Sequence, residues 1–186
     1  MDGANEGGQN VWLSLDGRNE VNGRFRVDRK GKGSYDQSVP KFQRFVEKRG
    51  DKEYYMRGTF SHFNTDFTED IAHMADELGF KELSMEPVVL TPGEPSALTE
   101  EDLPILYEQY EKLALDLLRR KKAGDPVTFY HYMVDLDRGP CIYKRISGCG
   151  SGTEYMAVSA QGELYPCHQF VSDKEYKLGD IWNGIT

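Results

Sequence analysis

The chain is short of cysteine, of positive charge and of long apolar runs. Only three cysteines stand in its 186 residues: Cys141, Cys149 and Cys167, all near the C-terminal end. Three thiols are too few for two disulfides and one short of a four-thiolate metal site. Lysine and arginine total 23 against 31 acids, a net charge of -8. That balance argues against a nucleic-acid partner, which needs clustered positive charge. One basic stretch, RFRVDRKGK over residues 24–32, reads as a solvated loop. No apolar run approaches the ~18–20 residues of a membrane span, so no membrane partner is expected. The opening MDGANEGGQN has neither the basic nor the apolar region of a signal peptide. It reads as a flexible leader or a cloning scar, residues 1–10. With no export signal, the expected compartment is the cytoplasm, where thiols stay reduced. The cysteines then lean towards metal or redox chemistry rather than disulfides.

What is present alternates between two periods. Residues 11–16, VWLSLD, alternate apolar and polar as a strand does. They open the pattern with nothing before them to pack against, as expected of a piece of a longer protein. A glycine-containing polar loop is expected over 17–35. Val39, Phe42, Phe45 and Val46 predict a helix over 37–49, with Pro40 in its first turn. YYMRGTFS, 54–61, reads as a second strand. Ile71, Met74, Ala75 and Leu78 predict a helix over 69–79 capped by Thr68. ELSMEPVV, 82–89, reads as a third strand, followed by the loop TPGEPSA. Thr99 and Asp102 make a capping box before a long helix with the stripe Leu103, Leu106, Tyr107, Tyr110, Leu113, Ala114, Leu117. Its far end, RRKK over 119–122, is expected to be solvated and to complement the helix dipole.

Strand–helix alternation predicts parallel strands in an α/β unit over residues 11–125. Each strand carries a polar face: Ser14 with Asp16, Arg57 with Thr59 and Ser61, Ser84 with Glu82 and Glu86. A sheet covered on both sides is apolar on both. One polar face points to an open barrel whose interior holds a ligand near the strand ends, the plain alternative being polar groups that are simply hydrogen-bonded there. A boundary is expected between residues 125 and 140, with 126–186 forming a linker and a second region. VTFYHYMVDLDRGPC reads equally as strand or amphipathic helix. EYMAVSA, Gln161-Gly162 and ELYPC read as a hairpin, and DIWNGI as the start of a short helix.

The hairpin gives the cysteine spacing a reason. In C-x12-G-x4-C, Gly162 allows the turn and the returning strand brings Cys167 towards Cys149. Gly148 and Gly150 leave the backbone free to wrap something bulky. Thiolates suit zinc or an iron–sulfur cluster, while buried unpaired cysteines and, less so, a disulfide are the plain alternatives. His168 is a further possible ligand, more often a packing or surface residue.

C-x12-G-x4-C resembles the opening of a SPASM domain, the cysteine-rich extension of radical S-adenosylmethionine enzymes that modify peptides and proteins. LSLDG, Arg26 and GKGSYD resemble the fourth strand and following loop of those enzymes' partial barrel, and RGTFSHFN the fifth strand. SLDGRNEVNGRFR, MRGTF, DLDRGPCIYKRISGCG and LYPCHQF together are most similar to maturases of six-cysteine peptides, the SCIFF group, which form thioether cross-links. The resemblance spans about residues 11–186. It implies an α/β fold: the second half of a partial (β/α)6 radical-SAM barrel, then the start of a SPASM-type hairpin region. It implies S-adenosylmethionine and [4Fe-4S] clusters as cofactors, and a precursor peptide and an electron donor as partners. It places Ser14 at the cofactor's ribose or amino-acid end and Arg26 on its carboxylate. It places Arg57 on the inner face of the next strand, where an ion pair or packing is an equal alternative. Asp16 would orient the strand-end loop. Cys149 and Cys167 would bind an auxiliary cluster, with Cys141 as a third thiolate. The C-x3-C-x2-C loop that holds the radical-generating cluster does not occur in the sequence. The chain alone is therefore expected to be inactive. Formylglycine formation or another peptide oxidation is an alternative chemistry, and a zinc-stabilised peptide-binding module an alternative of a different class.

Overall fold

A computed structural model of the chain describes residues 11–133 and 149–185. The chain divides into two compact units, residues 1–133 and 134–186.

The first unit is a parallel sheet with helical crossovers. Its strands β1 (Val11–Ser14), β2 (Tyr54–Phe60), β3 (Glu82–Pro87) and β4 (Thr128–Phe129) pair side by side in chain order. Parallel neighbours need long connections, and helices supply them. Helices α1 (Asn19–Phe25) and α2 (Tyr35–Arg49) join β1 to β2. Helix α3 (Phe67–Ala72) continues through a π-helical turn, His73–Glu77, before β3. Helix α4 (Leu103–Ala123) leads to β4.

One face of the sheet is the core. Leu13, Leu15, Met56, Phe60, Leu83 and Met85 pack against Val39, Phe45, Phe67, Met74, Leu106 and Leu113 of the helices. Each such side chain contributes about 1.5–3 kcal/mol by leaving water. Gly58 leaves no room for a side chain: a Cβ there would stand 2.7 Å from the Leu15 carbonyl oxygen and from Met85 Sδ. The opposite face is the polar one expected from the sequence. Ser14 stands beside Arg57 and Arg57 beside Ser84, while Thr59 stands beside Glu86.

Several local expectations are corrected. The segment 17–35 contains helix α1 rather than loop throughout. Its Asn and Gly residues are poor helix formers, so the helix is set by tertiary bonds. Asn22 is fully buried and its Oδ1 accepts the Asp16 N–H at 3.2 Å. Helix α2 begins at Tyr35, which puts Pro40 inside it rather than in its first turn. Helix α3 starts at Phe67 with Asp66 at the cap position. Thr68 is therefore within the helix, and its hydroxyl binds the Gln109 side chain of α4.

The Thr99–Asp102 capping box forms before α4. Leu103 and Tyr107 of the expected stripe are exposed, whereas Leu106 and Leu113 are buried. The RRKK end is not wholly solvated. Arg120 is buried and donates to both carboxylate oxygens of Asp76, at 2.6 and 2.7 Å, and to Asp116. Past α4 the ambiguous segment opens with β4, followed by a 3-10 turn, Tyr130–Tyr132. Because β4 extends the sheet, the first unit runs on to Met133.

The second unit contains a four-stranded antiparallel meander: β5 (Ala157–Val158), β6 (Glu163–Tyr165), β7 (Gly179–Asp180) and β8 (Gly184–Ile185). The β5–β6 hairpin pairs Ala157 with Tyr165 and turns through Gly162 at φ 79°. DIWNGI is a tight β7–β8 turn, not a helix. The Asp180 carboxylate accepts the Trp182 and Asn183 N–H groups at 3.0 and 2.8 Å. That local bonding competes with helix formation. Among the described residues no helix is long and apolar enough to cross a membrane.

Candidate functional site

The sequence LSLDG builds the end of β1. Gly17 has φ 115°, and a Cβ there would lie 2.3 Å from Asp70 Cβ. Only glycine lets this turn press on the fully buried Asp70. Asp70 Oδ1 accepts the Arg18 backbone N–H and Nε, at 3.0 and 2.8 Å, and Oδ2 accepts Asn64 Nδ2 at 3.2 Å. Burial pushes the Asp70 carboxyl up, and these bonds oppose it. The bond to Asp70 raises the Arg18 guanidinium, which also donates to both Asp66 oxygens.

Next to that turn, a cleft of about 460 Å³ opens at the C-terminal ends of β1, β2 and β3. In parallel α/β folds that end of the strands is where ligands bind. Asp16, Arg26, Thr59, Ser61 and Ser96 give it polar walls, and Phe25, Val88 and Leu90 apolar ones. Arg26 donates to Asp16 from Nε to Oδ2 at 2.7 Å and from Nη2 to Oδ1 at 2.8 Å. The same Oδ1 accepts the Thr59 N–H at 3.0 Å. Asp16 therefore ties helix α1, β1 and β2 together. A guanidinium has five donors. Two are engaged here, so Arg26 keeps donors for a second anion in the cleft.

Ser14 and Arg57 do not line this cleft. Ser14 is exposed on the polar sheet face beside Arg57. Arg57 donates from Nε to Glu86 Oε1 at 3.2 Å and from Nη2 to Oε2, and its guanidinium lies 5.6 Å from the Trp12 ring centre. It is thus held in an ion pair, one of the alternatives open from sequence. The sequence reading gave no site role to Ser61, which caps the turn His62–Asn64 by accepting the Phe63 N–H. It also left out the bond of His62 Nδ1 to Asp102 at 2.9 Å. No residue spacing announces that bond, because the partners are far apart in sequence.

In the second unit, Cys149 is exposed, Cys167 is buried, and both are free thiols. Tyr155 lies near both, and the neighbouring Cys149 above all pushes its hydroxyl up. Cys141 lies outside the described residues, and His168 is exposed. Among the described residues no group of three His, Cys, Asp or Glu side chains is placed to hold a metal ion.

No protein-family model and no curated protein matches the chain. Solved structures do. "Native anSMEcpe with bound AdoMet and Kp18Cys peptide" superposes with a TM-score of 0.67 at 17% identity, covering 98% of this chain and 50% of that one. "Native anSMEcpe with bound AdoMet" gives 0.67 at 18% identity, covering 95% and 48%. "Native anSMEcpe with bound AdoMet and Cp18Cys peptide" gives 0.69 at 18% identity, covering 98% and 50%. The chain spans about half the length of these structures. Over that half, it has their fold.

Proposed function

We propose that the chain belongs to a radical S-adenosylmethionine enzyme that modifies a ribosomally made peptide by forming cysteine thioether cross-links. It would supply the later half of the partial barrel and the opening of the SPASM-like region. The observation that carries this reading is the strand-end cleft with Arg26 fixed in its wall by Asp16. The lining suits the cofactor: Phe25, Val88 and Leu90 for an adenine face, hydroxyls of Thr59, Ser61 and Ser96 for ribose, Arg26 for a carboxylate. Ser14 and Arg57 would contact it from the adjoining sheet face. When bound and reduced, S-adenosylmethionine supplies a carbon radical that removes a hydrogen atom from the peptide. The protein's part is to orient donor and acceptor and to exclude water.

Cys149 and Cys167, with Cys141, would hold part of an auxiliary [4Fe-4S] cluster, the remaining ligands lying beyond this chain. An external electron donor is required, and the cytoplasm suits such thiol chemistry. With no C-x3-C-x2-C in its sequence, the chain alone is proposed to be inactive.

A second reading is favoured by the comparisons. The neighbours are anSMEcpe structures with bound AdoMet and, in two of them, a peptide whose name carries Cys, which supports formylglycine formation or another oxidation of a peptide cysteine. Both chemistries would begin on a cysteine-containing peptide and would use the cleft described above. The test is the coding sequence upstream together with anaerobic iron–sulfide reconstitution of the longer protein. A C-x3-C-x2-C loop and a brown protein absorbing near ~400 nm are expected. A colourless protein with stoichiometric zinc points instead to a peptide-binding module.

A further inference from the structure

Next to the cofactor cleft lies a second cavity, of about 770 Å³, which shares Val88 and Leu90 with it. His62 stands in its wall, immediately beyond the C-terminal end of β2. Its Nδ1 lies 2.9 and 3.0 Å from the two carboxylate oxygens of Asp102. Asp102 is buried and is itself held: Oδ2 accepts the Thr99 N–H at 2.8 Å and the Thr99 hydroxyl at 3.1 Å. The His62 backbone is pinned as well, its N–H donating to the Ser96 carbonyl at 3.2 Å.

This is more than the Thr99–Asp102 cap needs. A carboxylate only accepts, so the proton shared with Asp102 sits on Nδ1, and Nε2 is the nitrogen left to exchange a proton with another group. Among the described residues Nε2 makes no hydrogen bond, and the side chain is 48% exposed. A base held in one tautomer by a buried carboxylate, with its free nitrogen at a cavity, is the arrangement of a proton acceptor.

The cavity also indicates what gives up the proton. Val88, Leu90, Pro92 and Leu98 make it largely apolar, and Glu94 and Glu100 line it too. Such walls disfavour a group that arrives as an anion, so the group that enters is neutral, and any negative charge formed there is offset by the imidazolium formed with it. A cysteine thiol fits: it is neutral near pH 7, tolerates apolar surroundings, and its ordinary pKa of ~8.5 lies near histidine's ~6.5.

We infer that His62, oriented by Asp102, accepts the proton of the substrate peptide's cysteine thiol. The S–H bond breaks, its electron pair stays on sulfur, and the proton bonds to Nε2. The inference rests on the proposed function, in which the cysteine sulfur exchanges its S–H bond for a bond to carbon and so must lose its proton.

The test uses the full-length, anaerobically reconstituted enzyme with S-adenosylmethionine, a chemical reductant and the precursor peptide. Deoxyadenosine and modified peptide are measured separately. In H62A and H62Q, modified peptide is expected to fall about 100-fold or more. Deoxyadenosine is expected to stay within about threefold of wild type, a readout of cofactor cleavage without completed modification. The glutamine of H62Q keeps a donor for Asp102, so that variant separates folding from proton transfer. Added imidazole is expected to restore product in H62A and not in H62Q. Product at the wild-type rate in H62Q, deoxyadenosine falling in step with product, or no imidazole rescue of H62A overturns the inference. A wild-type enzyme that releases no deoxyadenosine overturns the proposed function itself, and this step with it.

Discussion

Arg26 grips Asp16 through two parallel hydrogen bonds of 2.7 and 2.8 Å, at the point where β1 runs out into the cleft. Asp16 is buried, and it also receives the Thr59 N–H. One carboxylate thus fixes the guanidinium and the end of β2 together. Asp16→Asn keeps the shape and removes the charge. It is expected to lower stability by about 1.5–3 kcal/mol, the range for hydrogen bonds to charged groups. Urea titration of the chain checks this, and an unchanged midpoint would show that the bridge is not structural.

Arg26→Lys separates charge from geometry. Lysine keeps a positive point charge but loses the planar fork. In the full-length enzyme S-adenosylmethionine is expected to bind about tenfold more weakly, roughly 1.4 kcal/mol. Equilibrium dialysis under anaerobic conditions gives the answer. Unchanged affinity would remove Arg26 from the cofactor's carboxylate.

Gly17→Ala adds a methyl group in contact with a buried carboxyl. Its Cβ would stand 2.3 Å from Asp70 Cβ, at a φ of 115° that side chains rarely adopt. The turn must move, and Asp70 must leave its Arg18 and Asn64 partners. A loss above about 3 kcal/mol is expected, from strain together with a buried charge left unpaired. Thermal unfolding followed by circular dichroism tests it. A variant that melts with wild type contradicts the close packing of this turn.

The Arg120–Asp76 bridge predicts a pH dependence. The bond to Arg120 holds the Asp76 carboxyl below its ordinary 3.8. A folded value depressed below the unfolded one contributes stability that is complete above the unfolded value. That contribution is lost as pH falls below 3.8 through the folded value. The stability difference between wild type and Arg120→Gln should therefore be constant near pH 6 and narrow on acidification below about pH 4. Urea titrations across that range decide it. A difference that stays constant or widens on acidification contradicts the bridge.

Much of the sheet was legible because its signals are local. Alternation in VWLSLD, YYMRGTF and ELSMEP marks the strands, and their polar residues lie in register as Ser14, Arg57 and Ser84. The Thr99–Asp102 box was legible for the same reason. Helix α1 was not, since Asn22 and Gly23 oppose a helix locally and burial of Asn22 decides the outcome. The turn in DIWNGI was missed because Asp180 bonds forward to Trp182 and Asn183, a choice periodicity does not register. Arg26, singled out by its motif, lines the cleft, but its pairing with Asp16 belongs to the fold. The His62–Asp102 pair was invisible for want of any spacing rule joining residues so far apart.

The most direct measurement is the mass of the precursor peptide after incubation with the reconstituted full-length enzyme, S-adenosylmethionine and reductant. Thioether chemistry predicts a peptide lighter by two hydrogen atoms per cross-link, its sulfurs resistant to alkylation, with deoxyadenosine formed in equal amount. A peptide of unchanged mass, its thiols still alkylated, while the cofactor remains intact, would contradict it.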